Sequence, residues 1–302
     1  MGAGGVGGYF GGRQAQAGHE VTLIARGSHL AALRAKGLTI RSPLGDASLK
    51  VRAVEDPAEA GTAEVVIFAV KLWDTEAAAE RLRPVVASGG VVLPFQNGVE
   101  SIPRIGAALG KERVMGGAAY IAARIGEPGT IVHTGTMARL RFGPVAPSQR
   151  AVAGEFQSAC RSAGIEAELV EDIERVLWEK FVFLAALSGT TTLARAPVGV
   201  IRGDPELRWM LEAAMREAWQ VARRRGVTLA DDFVAKQLAF ADGLPPQMTS
   251  SMHGDLEAGG RLEVEWLSGA VARMAAEAGI EAPVNRTIYA ALKRYARGAG
   301  ER

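Results

Sequence analysis

A single lysine in a strongly apolar run is the first residue whose type and place could do chemistry. It is Lys180, in Val176-Leu177-Trp178-Glu179-Lys180-Phe181-Val182-Phe183-Leu184-Ala185-Ala186-Leu187. On a helix Lys180, Leu184 and Ser188 would share one face. An ammonium there reaches solvent along its stem, pairs with a carboxylate, or loses pKa by desolvation. The last outcome makes a lysine a proton donor near neutral pH. Groups that could work beside it lie in Ser250-Ser251-Met252-His253-Gly254-Asp255 and Arg261-Leu262-Glu263-Val264-Glu265-Trp266. Ser251 and Asp255 share a face if their segment is helical. Glu263 precedes an apolar helix, where an acidic residue also suits the dipole. By spacing alone these residues read as caps, and periodicity does not join them to Lys180.

A second constellation opens the chain: Met1-Gly2-Ala3-Gly4-Gly5-Val6-Gly7-Gly8-Tyr9-Phe10-Gly11-Gly12. Gly2, Gly4 and Gly7, with Gly5 and Val6 between them, have the G-x-G-x-x-G spacing. Such a turn brings backbone close to a pyrophosphate and aims a helix N-terminus at its charge. The motif is weak unless a strand precedes it and a helix follows. About twenty residues on stands Arg26, where an acid would bond the ribose 2′-hydroxyl of NAD and an arginine accommodates the 2′-phosphate of NADP. Lys71 and Asn97 each follow a buried-strand pattern, at the strand end where open α/β sheets place ligands. Either could be ordinary, Lys71 as the first exposed residue after a core strand and Asn97 as half of an Asn-Gly turn. Two such positions at the edge of the glycine loop favour a shared site.

The elements that must position these residues alternate. A helix is expected over residues 9–17, a strand over 20–25, a helix over 28–36, strands over 38–41 and 48–54, and a buried strand over 63–70. A helix over 75–83, a strand over 90–95 and a helix over 99–109 follow. This pattern implies a parallel sheet with helices on both faces. Residues 113–144 change texture, with short β-like pieces at 118–124, 130–133 and 138–142 that suggest an antiparallel addition. A helix at 151–162 and a strand at 166–170 close the first domain. Helices alone follow, at about 172–193, 206–225, 230–240, 261–278 and 285–297. The expected organisation is an α/β Rossmann-type doubly wound domain over residues 1–170 and an all-helical domain over 171–302.

The strand that should precede the glycines is missing. A central strand buries roughly five apolar side chains, each contributing about 1.5–3 kcal/mol. The chain as written is therefore expected to begin too late, with Met1 where the last strand residue belongs.

Composition narrows the function. The 302 residues are 48% hydrophobic and 23% charged, with net charge +2, so nothing points to nucleic acid or an anionic membrane as partner. Apolar runs such as 65–70 fall far short of the roughly 18 residues that span a bilayer. The one cysteine, Cys160, cannot form an internal disulfide, and the simplest compartment is the cytoplasm. No metal site is expected.

Taken together, these pieces resemble the ketopantoate reductase (2-dehydropantoate 2-reductase) family over essentially the whole chain. The resemblance rests on the Gly-Ala-Gly-Gly-Val-Gly-Gly start, Ala25-Arg26-Gly27, the strand ending at Lys71, Gln96-Asn97-Gly98, Trp178-Glu179-Lys180, Ser250-Ser251-Met252 with Asp255, and Leu262-Glu263. It implies a Rossmann domain joined to a helical one, with NADPH and a small 2-oxo acid bound in the cleft between them. Carried over, Gly2, Gly4, Gly5, Val6 and Gly7 hold the pyrophosphate and Arg26 the 2′-phosphate, with Lys71 close to the cofactor and Asn97 near the nicotinamide. Lys180 matches the general acid, Glu263 the acid that holds the substrate hydroxyl, Ser251 the serine on its carboxylate, and Asp255 an aspartate supporting that site. The best-known members carry asparagines where this chain has Leu184 and Ser188, which leaves the substrate open. The expected activity is reduction of 2-dehydropantoate to (R)-pantoate in pantothenate, and so coenzyme A, biosynthesis. The alternatives are another 2-oxo acid or β-ketoacid, or a non-catalytic NADP(H)-binding module. A homodimer is the candidate assembly.

Overall fold

A computed structural model describes residues 1–299. The chain divides into two compact units, Met1–Gln96 with Glu100–Ile173, and Asn97–Val99 with the chain from Glu174 onward. In the first unit the order is α1 (Gly5–Gln16), β1 (Thr22–Ile24), α2 (Gly27–Lys36), β2 (Leu38–Arg41), β3 (Ala47–Leu49), β4 (Arg52–Val54), β5 (Val65–Phe68), α3 (Thr75–Glu80), β6 (Val91–Pro94), α4 (Ser101–Leu109), β7 (Gly116–Ile125), β8 (Thr130–Gly143), α5 (Arg150–Ser162) and β9 (Glu166–Leu169). β1 pairs in parallel with β4, and β5 with β6. Successive side chains of these strands serve opposite cores. Val91 and Leu93 join Tyr9, Phe10, Leu33 and Phe156, while Val92 joins Phe68, Ala78, Leu82 and Ile105. Packing on both faces, complete for β6 and partial on one face of β5, is why these two strands read as continuous apolar runs.

The remaining strands form a mixed sheet in the order β3-β2-β8-β7, with β9 beside β8. Two expectations are corrected here. The strand expected over residues 48–54 is two, β3 and β4, in different sheets. The pieces expected at 130–133 and 138–142 are one strand, β8, which pairs antiparallel with β7 and shifts register where Ile121 faces Ala138 and Ala122 faces Thr134. The intervening Gly135, at φ +73°, carries the chain through that bulge. β8 also pairs in parallel with β2, which alternation alone did not suggest.

The residues ahead of α1 bridge β1 and β5. The N–H groups of Gly2 and Ala3 donate to Ile24 O at 3.1 and 3.0 Å, and Ala69 N donates to Met1 O at 2.9 Å. The Met1 amine donates to Ile67 O at 2.8 Å, and burial pushes its pKa down to about 5. Among the described residues, β1 and β5 have no partner strand on their facing edges. Beside them lies a cavity of about 450 Å³ lined by Val21, Leu23, Val65, Ile67 and Phe156 among others.

The second unit is helical: α6 (Ile173–Ala194), α7 (Val198–Gly203), α8 (Pro205–Arg224), α9 (Phe233–Asp242), α10 (Ser251–Glu257), α11 (Ser268–Glu277) and α12 (Pro283–Leu292), with α6 starting one residue before the unit boundary. α8 starts cleanly because Asp204 Oδ1 accepts from Leu207 N at 2.9 Å and Pro205 occupies the first turn. Its buried stripe, Leu211, Ala214, Met215, Ala218, Val221 and Ala222, packs with Trp178, Phe181, Val182 and Ala185 of α6 in one core. The helix expected over residues 261–278 begins only at Ser268, and Glu263 sits in the irregular segment before it. α7, a six-residue helix, lies outside the helices expected from the sequence. Among the described residues no helix is long and apolar enough to cross a membrane.

Candidate functional site

In the first unit the expected phosphate turn is built as its glycines require. Gly2 sits at φ +84°, which an L side chain rarely adopts, and a Cβ on Gly7 would collide with Gly2 O. A Cβ on Gly5 would strike Ala123 O, whereas one on Gly4 would meet nothing within 4 Å. α1 begins at Gly5 with Gly4 as its N-cap and no capping side chain, so its first-turn N–H groups have no intrahelical acceptor. A close backbone turn, an open approach at Gly4 and uncapped donors on a twelve-residue helix fit the pyrophosphate of a dinucleotide.

Arg26 is the N-cap of α2 and largely exposed, with its Nη2 2.9 Å from Asp74 Oδ2. Asp74 belongs to the short 3-10 turn Leu72–Asp74 directly after Lys71, so the two expected cofactor-side cations border the same loop. Lys71 is exposed, with Nζ 5.6 Å from the Trp73 ring centroid. Gln96 fastens this loop: its Nε2 donates to Val70 O and to Thr75 Oγ1, both at 2.9 Å. The Thr75 hydroxyl in turn donates to Leu72 O at 2.8 Å. Asp74 went unnoticed in the sequence, where Leu72-Trp73-Asp74 before a helix reads as a start signal and nothing ties it to a residue 48 positions earlier.

In the second unit the structure joins three residues that spacing could not. Lys180 Nζ donates to Asn97 Oδ1 at 3.2 Å, and the Glu263 carboxylate attracts the same ammonium. The sequence pattern puts Asn97 at the strand edge of the first domain; it packs instead with the second unit, in the turn where Gly98 has φ +88°. Burial is the stronger influence on Lys180 and pushes its pKa down to about 8, while Glu263 opposes the shift. The lysine does not simply reach for solvent. Glu263 is itself buried, at 7% exposure, which is far from the solvated cap that its position before a helix suggested.

One and two turns along α6 from Lys180, Leu184 is half-buried and Ser188 buried. On α10 Ser251 is exposed and Asp255 half-buried. The buried serine is its neighbour Ser250, whose Oγ accepts from His253 N at 3.1 Å as the N-cap and lies 3.2 Å from Thr191 Oγ1 of α6. Ser250 therefore pins α10 to the helix that carries Lys180. Cys160 offers no alternative nucleophile, being buried with its thiol pushed up to about 12 by that burial. A half-buried lysine titrating near 8, attracted by a carboxylate and hydrogen-bonded to an amide, is suited to giving a proton to a developing oxyanion.

Comparison with known proteins gives this arrangement its context. The model of "Ketopantoate reductase PanE/ApbA" matches residues 1–147, and that of "Ketopantoate reductase PanE/ApbA C terminal" matches residues 172–296. A 2-dehydropantoate 2-reductase of Archaeoglobus fulgidus is 34% identical over 95% of this chain and 94% of its own length. An uncharacterized oxidoreductase of Bacillus subtilis, YkpB, is 32% identical over 98% and 97%. The crystal structure of a PanE/ApbA family ketopantoate reductase from Ralstonia eutropha superposes with a TM-score of 0.90 at 32% identity, covering 98% of this chain and 97% of the other. The chain is an oxidoreductase and belongs to the ketopantoate reductase family.

Proposed function

We propose that the protein reduces 2-dehydropantoate to (R)-pantoate with NADPH. Family membership implies a nicotinamide cofactor and a small-molecule substrate. The observation that carries the reading is the Lys180 amine, near pKa 8 beside Glu263 and Asn97. When bound, the nicotinamide supplies a hydride to the ketone carbon; the protein must meet the charge that grows on the ketone oxygen. Lys180 Nζ carries the proton for that oxygen, Asn97 Oδ1 fixes the direction of the amine, and Glu263 keeps it protonated at neutral pH and accepts from the substrate hydroxyl. Ser251 is the proposed contact of the substrate carboxylate, and Asp255 supports α10 beside it. Gly2, Gly4, Gly5, Val6 and Gly7 would hold the pyrophosphate, with Lys71 near the cofactor.

NADPH rather than NADH is favoured by Arg26. Its present pair with Asp74 is exposed, and such pairs contribute about 0–1 kcal/mol. A charge-assisted bond to a 2′-phosphate contributes about 1.5–3 kcal/mol and would displace it. Arg26→Ala is expected to lower the preference for NADPH over NADH by about tenfold or more in kcat/KM. An unchanged ratio would remove Arg26 from the 2′-phosphate site.

A second reading, another 2-oxo acid or a β-ketoacid, is favoured by one observation. Leu184 places an apolar side chain on the Lys180 face, one helical turn away. The test is NADPH oxidation with a panel of ketoacids. The highest kcat/KM is expected for 2-dehydropantoate; a clear optimum for another ketoacid would replace the substrate and keep the chemistry.

A further inference from the structure

His29 is buried at 8% exposure in the first unit, and the reaction described above gives it no part. It lies on the first turn of α2, three residues after Arg26. Gly129 N donates to its Nδ1 at 3.0 Å, so that nitrogen carries no proton. The proton is on Nε2, which donates to Ala3 O at 2.9 Å. Ala3 belongs to the glycine turn, and the imidazole holds the carbonyl of a peptide segment whose N–H groups are held by Ile24 O. The other end of the strut is equally fixed. Gly129, at φ +85° in the turn between β7 and β8, accepts from Thr39 N through its own carbonyl at 2.9 Å. A Cβ there would press on Ala32 of α2 at 3.1 Å.

We propose that His29 is a positioning residue for the dinucleotide. It fixes the Ala3 carbonyl, and with it the orientation of the glycine turn, relative to the helix that begins at Arg26. One imidazole thus sets the spacing between the proposed pyrophosphate and 2′-phosphate contacts. Burial holds the His29 pKa below its ordinary value, against the opposing Ala3 bond, so Nδ1 stays available as an acceptor. The inference rests on the reading of the glycine turn as the pyrophosphate site.

Two substitutions separate the two ends of the strut. The amide nitrogen of His29→Gln falls where Nε2 lies and keeps the bond to Ala3 O. The amide oxygen of His29→Asn falls where Nδ1 lies and keeps only the bond from Gly129. NADPH binding to the full chain is measured by calorimetry, with thermal midpoints recorded for both variants. His29→Asn is expected to weaken NADPH binding by about fivefold to tenfold, and His29→Gln by no more than about twofold, with kcat at saturating NADPH unchanged in both. Equal losses in the two variants, no loss in either, or a loss confined to His29→Gln would overturn the proposal while leaving the cofactor reading intact. Imidazole nitrogen chemical shifts of the wild-type protein give a check without mutation. The Nε2–H tautomer is expected, and the Nδ1–H tautomer would overturn it. Failure of the wild-type protein to bind either NADPH or NADH would instead remove the reading of the glycine turn, and the proposal with it.

Discussion

Lys180 is subject to two opposed influences, and their balance determines what the residue can do. Desolvation disfavours the ammonium; the Glu263 carboxylate and the Asn97 amide oxygen favour it. With the pKa near 8, most of the amine is protonated at pH 7 yet gives up its proton far more readily than an exposed lysine. As a proton donor, Lys180 is competent below its pKa and lost above it. Reductive kcat/KM for the ketoacid is therefore expected to be flat on the acid side and to fall as pH rises through about 8. Glu263→Gln removes the influence that raises this pKa, so the descending limb should move to lower pH while kcat/KM also drops. A limb that stayed in place, or moved to higher pH, would detach Glu263 from the lysine.

The helices of the second unit are held by a few polar contacts placed at their ends. Glu217 of α8 is buried, and its carboxylate accepts from Val284 N and Asn285 N at 2.8 Å each and from Asn285 Nδ2 at 2.7 Å. It caps the start of α12 from a neighbouring helix, doing the work a local Ser or Asp would otherwise do. Glu217→Ala would leave these donors without an acceptor and is expected to cost about 3 kcal/mol, seen as a lower urea midpoint with unchanged slope. An unchanged midpoint would mean water replaces the carboxylate without cost. Ser250 does the corresponding work for α10. The pair Ser250-Ser251 contains one cap and one exposed residue, and only tertiary contact with Thr191 shows which is which. The start of α11 differs from the sequence expectation for a related reason. Leu262, Val264 and Leu267 are buried in an irregular segment, so their apolar spacing looked like a helix already begun.

At the scale of the whole chain, local chemistry was legible and long-range pairing was not. The alternation of strands and helices showed because β5 and β6 are packed on both faces and so read as unbroken apolar runs. The glycine turn showed because backbone packed against its glycines leaves no room for side chains at Gly2, Gly5 and Gly7. The parallel pairing of β2 with β8 was hidden, since register between strands some ninety residues apart leaves no periodic trace. So was the continuity of β8, where Thr134-Gly135-Thr136 looks like a stop and is a bulge. The meeting of Asn97, Lys180 and Glu263 was hidden in the same way, although each was singled out by its local setting. That meeting carries the account, and its most direct test is the rate of NADPH-dependent ketoacid reduction by Lys180→Ala relative to wild type at saturating NADPH. A loss of about 10²–10⁴-fold is expected. Turnover within about twofold of wild type, less than a tenth of what one general acid supplies, would contradict it.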